Sequence, residues 1–92
     1  MVMIRRKLLA EAIANYMVVN GCASTSSGNR IFYFEDIIEH FGIARETLDN
    51  LREDIESCLA DCPQIQDQDG IWVDDNSFSL MFYGNYCNVE ID

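Results

Sequence analysis

Ninety-two residues, 49% of them hydrophobic and 24% charged, make a chain long enough for one compact core and too apolar to stay disordered. Sixteen Asp and Glu against six Lys and Arg, a formal charge of -10, argue against tight binding to nucleic acid or an anionic membrane, whose phosphates need cations to neutralise them. The longest apolar runs fall far short of the ~20 residues that cross a bilayer.

Residues 3–20 read as an amphipathic helix, with Ile4, Leu8, Leu9, Ala12, Ile13, Tyr16 and Met17 recurring every three or four positions on one face. Asn20-Gly21 supplies the predicted stop, because glycine adopts the left-handed conformation that ends helices. A polar loop over Ser24–Asn29 leads into Arg30–Phe34, a β-branched and aromatic run that reads as a short strand. A second, short helix follows over 35–41, with Ile37, Ile38 and Phe41 inward and Gly42 at its end. The third helix runs from Arg45 to Asp61. Its apolar face is Leu48, Leu51, Ile55, Cys58, Leu59 and Cys62, and Pro63 forbids continuation.

Beyond Pro63 the apolar period shortens towards two. Ile71–Val73 and Phe78–Phe82 read as strands joined by the turn Asp74-Asp75-Asn76-Ser77. Asp69-Gly70 is a further turn signal, one that would let Ile65–Asp67 pair with Ile71–Val73. Residues 84–92 read as an extra strand or a tail, the alternation of Cys87, Val89 and Ile91 favouring the strand. The expected whole is a single α+β domain over 1–92: three helices, with a small antiparallel sheet or wing in the C-terminal third.

The charge is unevenly spread. Residues 1–52 carry all six cations (Arg5, Arg6, Lys7, Arg30, Arg45, Arg52) and six acids, whereas residues 53–92 carry ten acids and no Lys or Arg. Such a half is either a solvated face or a surface built to meet a basic one. Arg5-Arg6-Lys7 is similar to the start of a secretory signal, but Glu11 and Asn15 interrupt the apolar stretch that should follow. The expected location is therefore cytoplasmic, with Cys22, Cys58, Cys62 and Cys87 as reduced, packed thiols. Cys58 and Cys62 share a helix face, yet the paired spacing of zinc sites is absent and no metal or cofactor is expected. Asp67-Gln68-Asp69-Gly70 and Asp74-Asp75-Asn76 crowd oxygen ligands without completing an EF-hand loop, so turn chemistry accounts for them. His40 is the only histidine, and no nucleophile elbow, phosphate loop or dinucleotide fingerprint accompanies it; no catalytic residue is predicted.

One motif has some specificity. In the segment 36–51, Ile38 precedes Gly42 by four positions, Ile43 follows it directly, and Leu48 and Leu51 follow at six and nine. Glycine allows the turn between two steeply packed helices, while the apolar residues fill the inside of the corner. Together with the order helix, strand, helix, helix, strands, this segment resembles the winged helix-turn-helix superfamily. The resemblance implies a DNA-reading second helix and a basic wing. Here that helix offers Glu46, Asp49, Glu53, Asp54 and Glu56, and the wing offers Asp67, Asp69, Asp74 and Asp75. Carboxylates facing phosphate repel it and release no counterions, which disfavours direct DNA binding.

Aromatics lie beside these acids, Trp72 and Tyr83 among them. A strand over Phe78–Tyr83 would turn Phe78, Leu80 and Phe82 to one face and Ser79, Met81 and Tyr83 to the other. The expected function is accordingly non-enzymatic. An acidic face carrying the nine carboxylates named above, with Trp72 and Tyr83 as anchors, would dock on a basic, nucleic-acid-binding surface of a partner protein. In size and charge the chain resembles small acidic phage inhibitors, anti-CRISPR proteins among them, that imitate nucleic acid. The alternative is a winged-helix transcriptional regulator using the six cations, and a homodimer fits either.

Overall fold

The computed structural model describes residues 2–24, 28–65, 68–83 and 87. The chain folds as three α-helices and a three-stranded antiparallel sheet: α1 (Val2–Ser24), β1 (Gly28–Tyr33), α2 (Phe34–Phe41), α3 (Arg45–Ala60), β2 (Ile71–Val73) and β3 (Ser77–Phe82). The expected α+β class and element order are present. β1 extends the sheet beyond the C-terminal third. The strand order is β1-β3-β2, which puts β3 at the centre.

α1 corrects two expectations. It runs through Gly21 to Ser24 rather than stopping at Asn20-Gly21. Gly21 serves contact instead: a Cβ there would stand 2.3 Å from the Phe82 ring, closer than atoms can approach, so the missing side chain is what lets β3 reach the helix. The buried face is Ala10, Ile13, Ala14, Met17 and Val18, while Leu8 is 60% exposed and Ala12 is also outward. Because α1 is apolar on most of its circumference, spacing did not single out the inner face.

α2 ends at Gly42, whose φ of 65° is left-handed, with its N–H donating to the Ile38 carbonyl at 2.8 Å. Phe34 opens this helix instead of closing β1, and its N–H donates to the Asn76 carbonyl at 2.8 Å, satisfying one orphan donor of the first turn. α3 buries Leu48, Leu51, Ile55 and Leu59, and stops three residues before Pro63. Cys58 and Cys62 are half-buried at its edge.

The inner sheet face packs Phe78, Leu80 and Phe82, each fully buried, against the helices. Ile65 is also buried, but it sits in a turn rather than a strand, and Gln68–Gly70 is a short 3-10 turn. The expected pairing of 65–67 with β2 is therefore not made at Ile65; residues 66 and 67 lie outside the described residues. Most of the predicted strand over 86–91 lies outside them too. Its one described residue, Cys87, is helical, with its N–H donating to the Tyr83 carbonyl at 3.3 Å.

The cysteines also depart from the reduced set expected. Cys22 and Cys87 form a disulfide spanning 65 positions, with Cα atoms 5.2 Å apart. A pair so remote in sequence carries no local signal; only the packing of the C-terminal end on α1 brings it together.

Candidate functional site

Because α3 turns Leu48, Leu51, Ile55 and Leu59 inward, its remaining positions form the outward surface. Glu46, Asp49, Glu53 and Asp54 are exposed and Glu56 is half-buried. They divide between two flanks. Glu53, Glu56 and Ser57 border a shallow depression with Ile71 of β2. Asp54 and Asp61 face α1 across an open groove, where Arg6, Lys7 and Glu11 join them. Sequence reasoning left Glu11 out of this surface, since only helix packing sets it beside Asp54.

The cations on and beside α3 contact the domain itself, Arg45 and Arg6 while remaining exposed. Arg45 Nε lies 3.1 Å from Asp49 Oδ1, and its Nη2 donates to the Asp75 carbonyl. Its guanidinium carbon also sits 4.9 Å from the centroid of the buried Phe34 ring, with that of Arg52 at 5.7 Å. Arg6 Nη2 donates to the Asn50 carbonyl at 2.9 Å, linking α1 to α3. Asp49 is thus a partner of Arg45, while Glu46, Glu53, Asp54 and Glu56 make the acidic face.

The converging carboxylates leave a mark on Cys58. Burial, then Glu11, Asp54 and Asp61, push its thiol above its ordinary value, with Lys7 opposing. It remains a protonated thiol near neutral pH, a poor nucleophile. Among the described residues, no group of three or more His, Cys, Asp or Glu is placed to hold a metal ion. His40 is exposed and stacks on Tyr16 at 4.2 Å.

The acids around β2 and the β2–β3 turn divide by role. Asp74 Oδ1 accepts from the Asn76 N–H at 2.8 Å, the Ser77 N–H at 2.7 Å and the Ser77 hydroxyl at 3.1 Å. Asp74 closes the β2–β3 turn while remaining exposed, and the backbone carbonyl of exposed Asp75 accepts from Arg45. Asp69 is exposed in the 3-10 turn, and Asp67 lies outside the described residues. The backbone donors Asn76 and Ser77, ahead of the Ser77 hydroxyl and Arg52, hold the Asp74 carboxyl below its ordinary value. Its contribution is therefore complete above the unfolded carboxylate value of about 4 and fades as pH falls through the lower folded value. Asp74→Ala should melt below the wild type at neutral pH. Thermal scans should show the gap closing as pH drops well below about 4.

Trp72 points away from the α3 side of the sheet. Strand pleating sends Ile71 and Val73 inward with Leu80 and Phe78, and Trp72 outward opposite Ser79. β1 adds Ile31 opposite Ser79, Tyr33 opposite Ser77 and Asn29 opposite Met81 on the same side. Ile31, Tyr33 and Trp72 are 53%, 52% and 51% exposed. Tyr83, also exposed, follows directly after β3. The sheet therefore lies between this apolar face and the carboxylates of α3. The alternation along Asn29–Tyr33 is the signal that could have revealed Ile31 and Tyr33.

No membrane-crossing helix is present among the described residues. Comparison with family models, curated proteins and solved structures returns no match. The functional reading rests on this geometry.

Proposed function

We propose that the chain is a non-enzymatic protein-binding domain of winged-helix-like architecture, an inhibitor or adaptor. Its α3 face docks on a basic, nucleic-acid-binding surface of a partner protein. The observation that carries this reading is that Arg45, though exposed, is engaged by Asp49, Asp75 and the Phe34 ring, and half-buried Arg52 lies near that ring, while Glu46, Glu53 and Asp54 stand exposed on α3 with Glu56 half-buried beside them. A helix so presented imitates a row of phosphates and attracts the Arg and Lys that hold nucleic acid. The regulator reading uses Arg5, Arg6, Lys7, Arg30, Arg45 and Arg52 against DNA.

The partner can be captured with tagged protein from nuclease-treated lysate of the source cells. Replacing Glu46, Glu53, Asp54 and Glu56 together with glutamine should then weaken binding between ~4-fold and ~900-fold, four surface pairs at ~0.2–1 kcal/mol each. The salt dependence should flatten as well, and unchanged affinity would overturn the mechanism. Binding to duplex DNA at low salt, lost steeply as salt rises, would instead favour the regulator.

The Cys22–Cys87 bond bears on location. Such bonds persist where thiols oxidise, whereas the cytoplasm keeps them reduced. Alkylating freshly lysed cells before mass measurement distinguishes an oxidising compartment from the cytoplasmic one expected from sequence.

A further inference from the structure

The Cys22–Cys87 bond stands at the margin of the core rather than across its middle. Cys22 lies in the last turn of α1, directly after Gly21, and Cys87 follows Tyr83 by four positions. Apart from Cys87, the buried apolar residues run from Ala10 to Phe82 and join α1, α2, α3 and β3 without help from the bond. Between described residues, one hydrogen bond ties the backbone of Cys87, its N–H donating to the Tyr83 carbonyl at 3.3 Å. The two cysteines also differ in burial: Cys22 is half-buried, whereas Cys87 is 1% exposed.

We infer that this bond is a redox latch: external thiols open it from the Cys22 side, and cleavage releases Cys87 from the core while the three helices and the sheet stay folded. Access decides which sulfur is attacked, and of the two cysteines only Cys22 stands part-way in solvent. The thiolate of a glutathione-type monothiol, or of a dithiol, bonds to Cys22 Sγ. The bond to Cys87 Sγ breaks, and Cys87 leaves as a thiolate that takes up the proton the first thiol lost. A second thiol then attacks the mixed disulfide and frees Cys22. One protein disulfide and two external thiols become two protein thiols and one external disulfide.

The position of Cys87 couples this chemistry to a change of shape. Cys87 belongs to the apolar core cluster, where a thiolate is costly because nothing there solvates its charge. It therefore leaves as it moves outward to water, so that breaking the bond and vacating the core are one event. A tether of four positions then regains the conformations that the bond excluded, worth roughly 10–100-fold in favour of the open form. Burial of one small side chain and the single 3.3 Å hydrogen bond oppose it.

The chain's remaining thiols are poorly placed to drive the exchange. Burial and the carboxylates of Glu11, Asp54 and Asp61 keep Cys58 protonated, and Cys62 Sγ donates to the Cys58 carbonyl at 3.3 Å. The latch thus answers to the surrounding thiol pool: closed where thiols oxidise, open where they are kept reduced. This inference does not rest on what α3 binds.

The test uses the full chain, purified in air and then treated with glutathione or a dithiol without denaturant. Free thiols are pulse-labelled with iodoacetamide and mapped by mass spectrometry, with far-UV circular dichroism recorded alongside. The mixed disulfide with glutathione should form on Cys22. After reduction Cys87 should label within about tenfold of Cys22, whereas a thiol released only by global unfolding is slowed by ~10³-fold or more. The circular dichroism should keep its helical signal. Cys22→Ser should label at Cys87 equally fast with no reductant present, and re-oxidising the wild type should restore protection. A chain that holds both cysteines as thiols in air overturns the inference, as does a bond that yields only in denaturant. A mixed disulfide on Cys87, or a reduced Cys87 that stays protected, overturns it too. Loss of the helical signal on reduction would make the bond a staple of the whole fold and no latch.

Discussion

Replacing Cys22 with alanine is expected to lower the unfolding free energy by about 4 kcal/mol. The Cys22–Cys87 bond closes a loop across 65 positions, and a cross-link of that span removes much of the conformational freedom of the unfolded chain. Domains of this size are stable by only ~5–15 kcal/mol, so the loss is a large share of the total. Urea unfolding followed by circular dichroism should show a lower midpoint for Cys22→Ala. A dithiol reductant should shift the wild type by a similar amount and leave the variant unmoved. If reduction leaves the wild-type midpoint unchanged, the bond does not contribute in solution. Cys87 is itself buried in the core, so its release also exposes apolar surface at the end of α1.

Phe82→Ala should cost about 3–5 kcal/mol, the range for truncating a buried aromatic residue. Phe82 is fully buried, and its ring covers Gly21, joining the centre of the sheet to the last turns of α1. The reciprocal change, Gly21→Ala, gains up to about 1 kcal/mol in helix propensity, yet it drives a methyl group into the ring. A ring enclosed by core has little room to retreat, and overpacking of this kind costs about 1–3 kcal/mol. Gly21→Ala is therefore expected to destabilise. The double variant Gly21→Ala, Phe82→Leu should recover part of the loss, because the smaller side chain leaves space for the methyl. Denaturant midpoints for the two single variants and the double variant measure this coupling. Strict additivity would refute the contact.

The acidic α3 surface was visible in sequence because helix periodicity and charge are both local. With Leu48, Leu51, Ile55 and Leu59 inward, Glu46, Glu53 and Asp54 had to point outward. The role of Asp74 as turn former was equally local, since the N–H groups that donate to it lie two and three residues away. Trp72 and Tyr83 were visible as aromatics near acids, but nearness in sequence did not make them one surface. Pleating put Trp72 on the far side of the sheet from Glu53 and Glu56.

The amino-acid sequence by itself determined the helices α2 and α3, the strands and their order along the chain, and the carboxylate row, because each follows from neighbours within a few positions. Only the tertiary structure decided which side of α1 is core, why Gly21 lies inside a helix, which cysteines pair, and that Arg45 and Arg52 turn onto Phe34. It also decided that Ile31, Tyr33 and Trp72 share an uncharged face. Each of these depends on a partner tens of residues away, and packing between distant elements leaves no periodic signal in the chain.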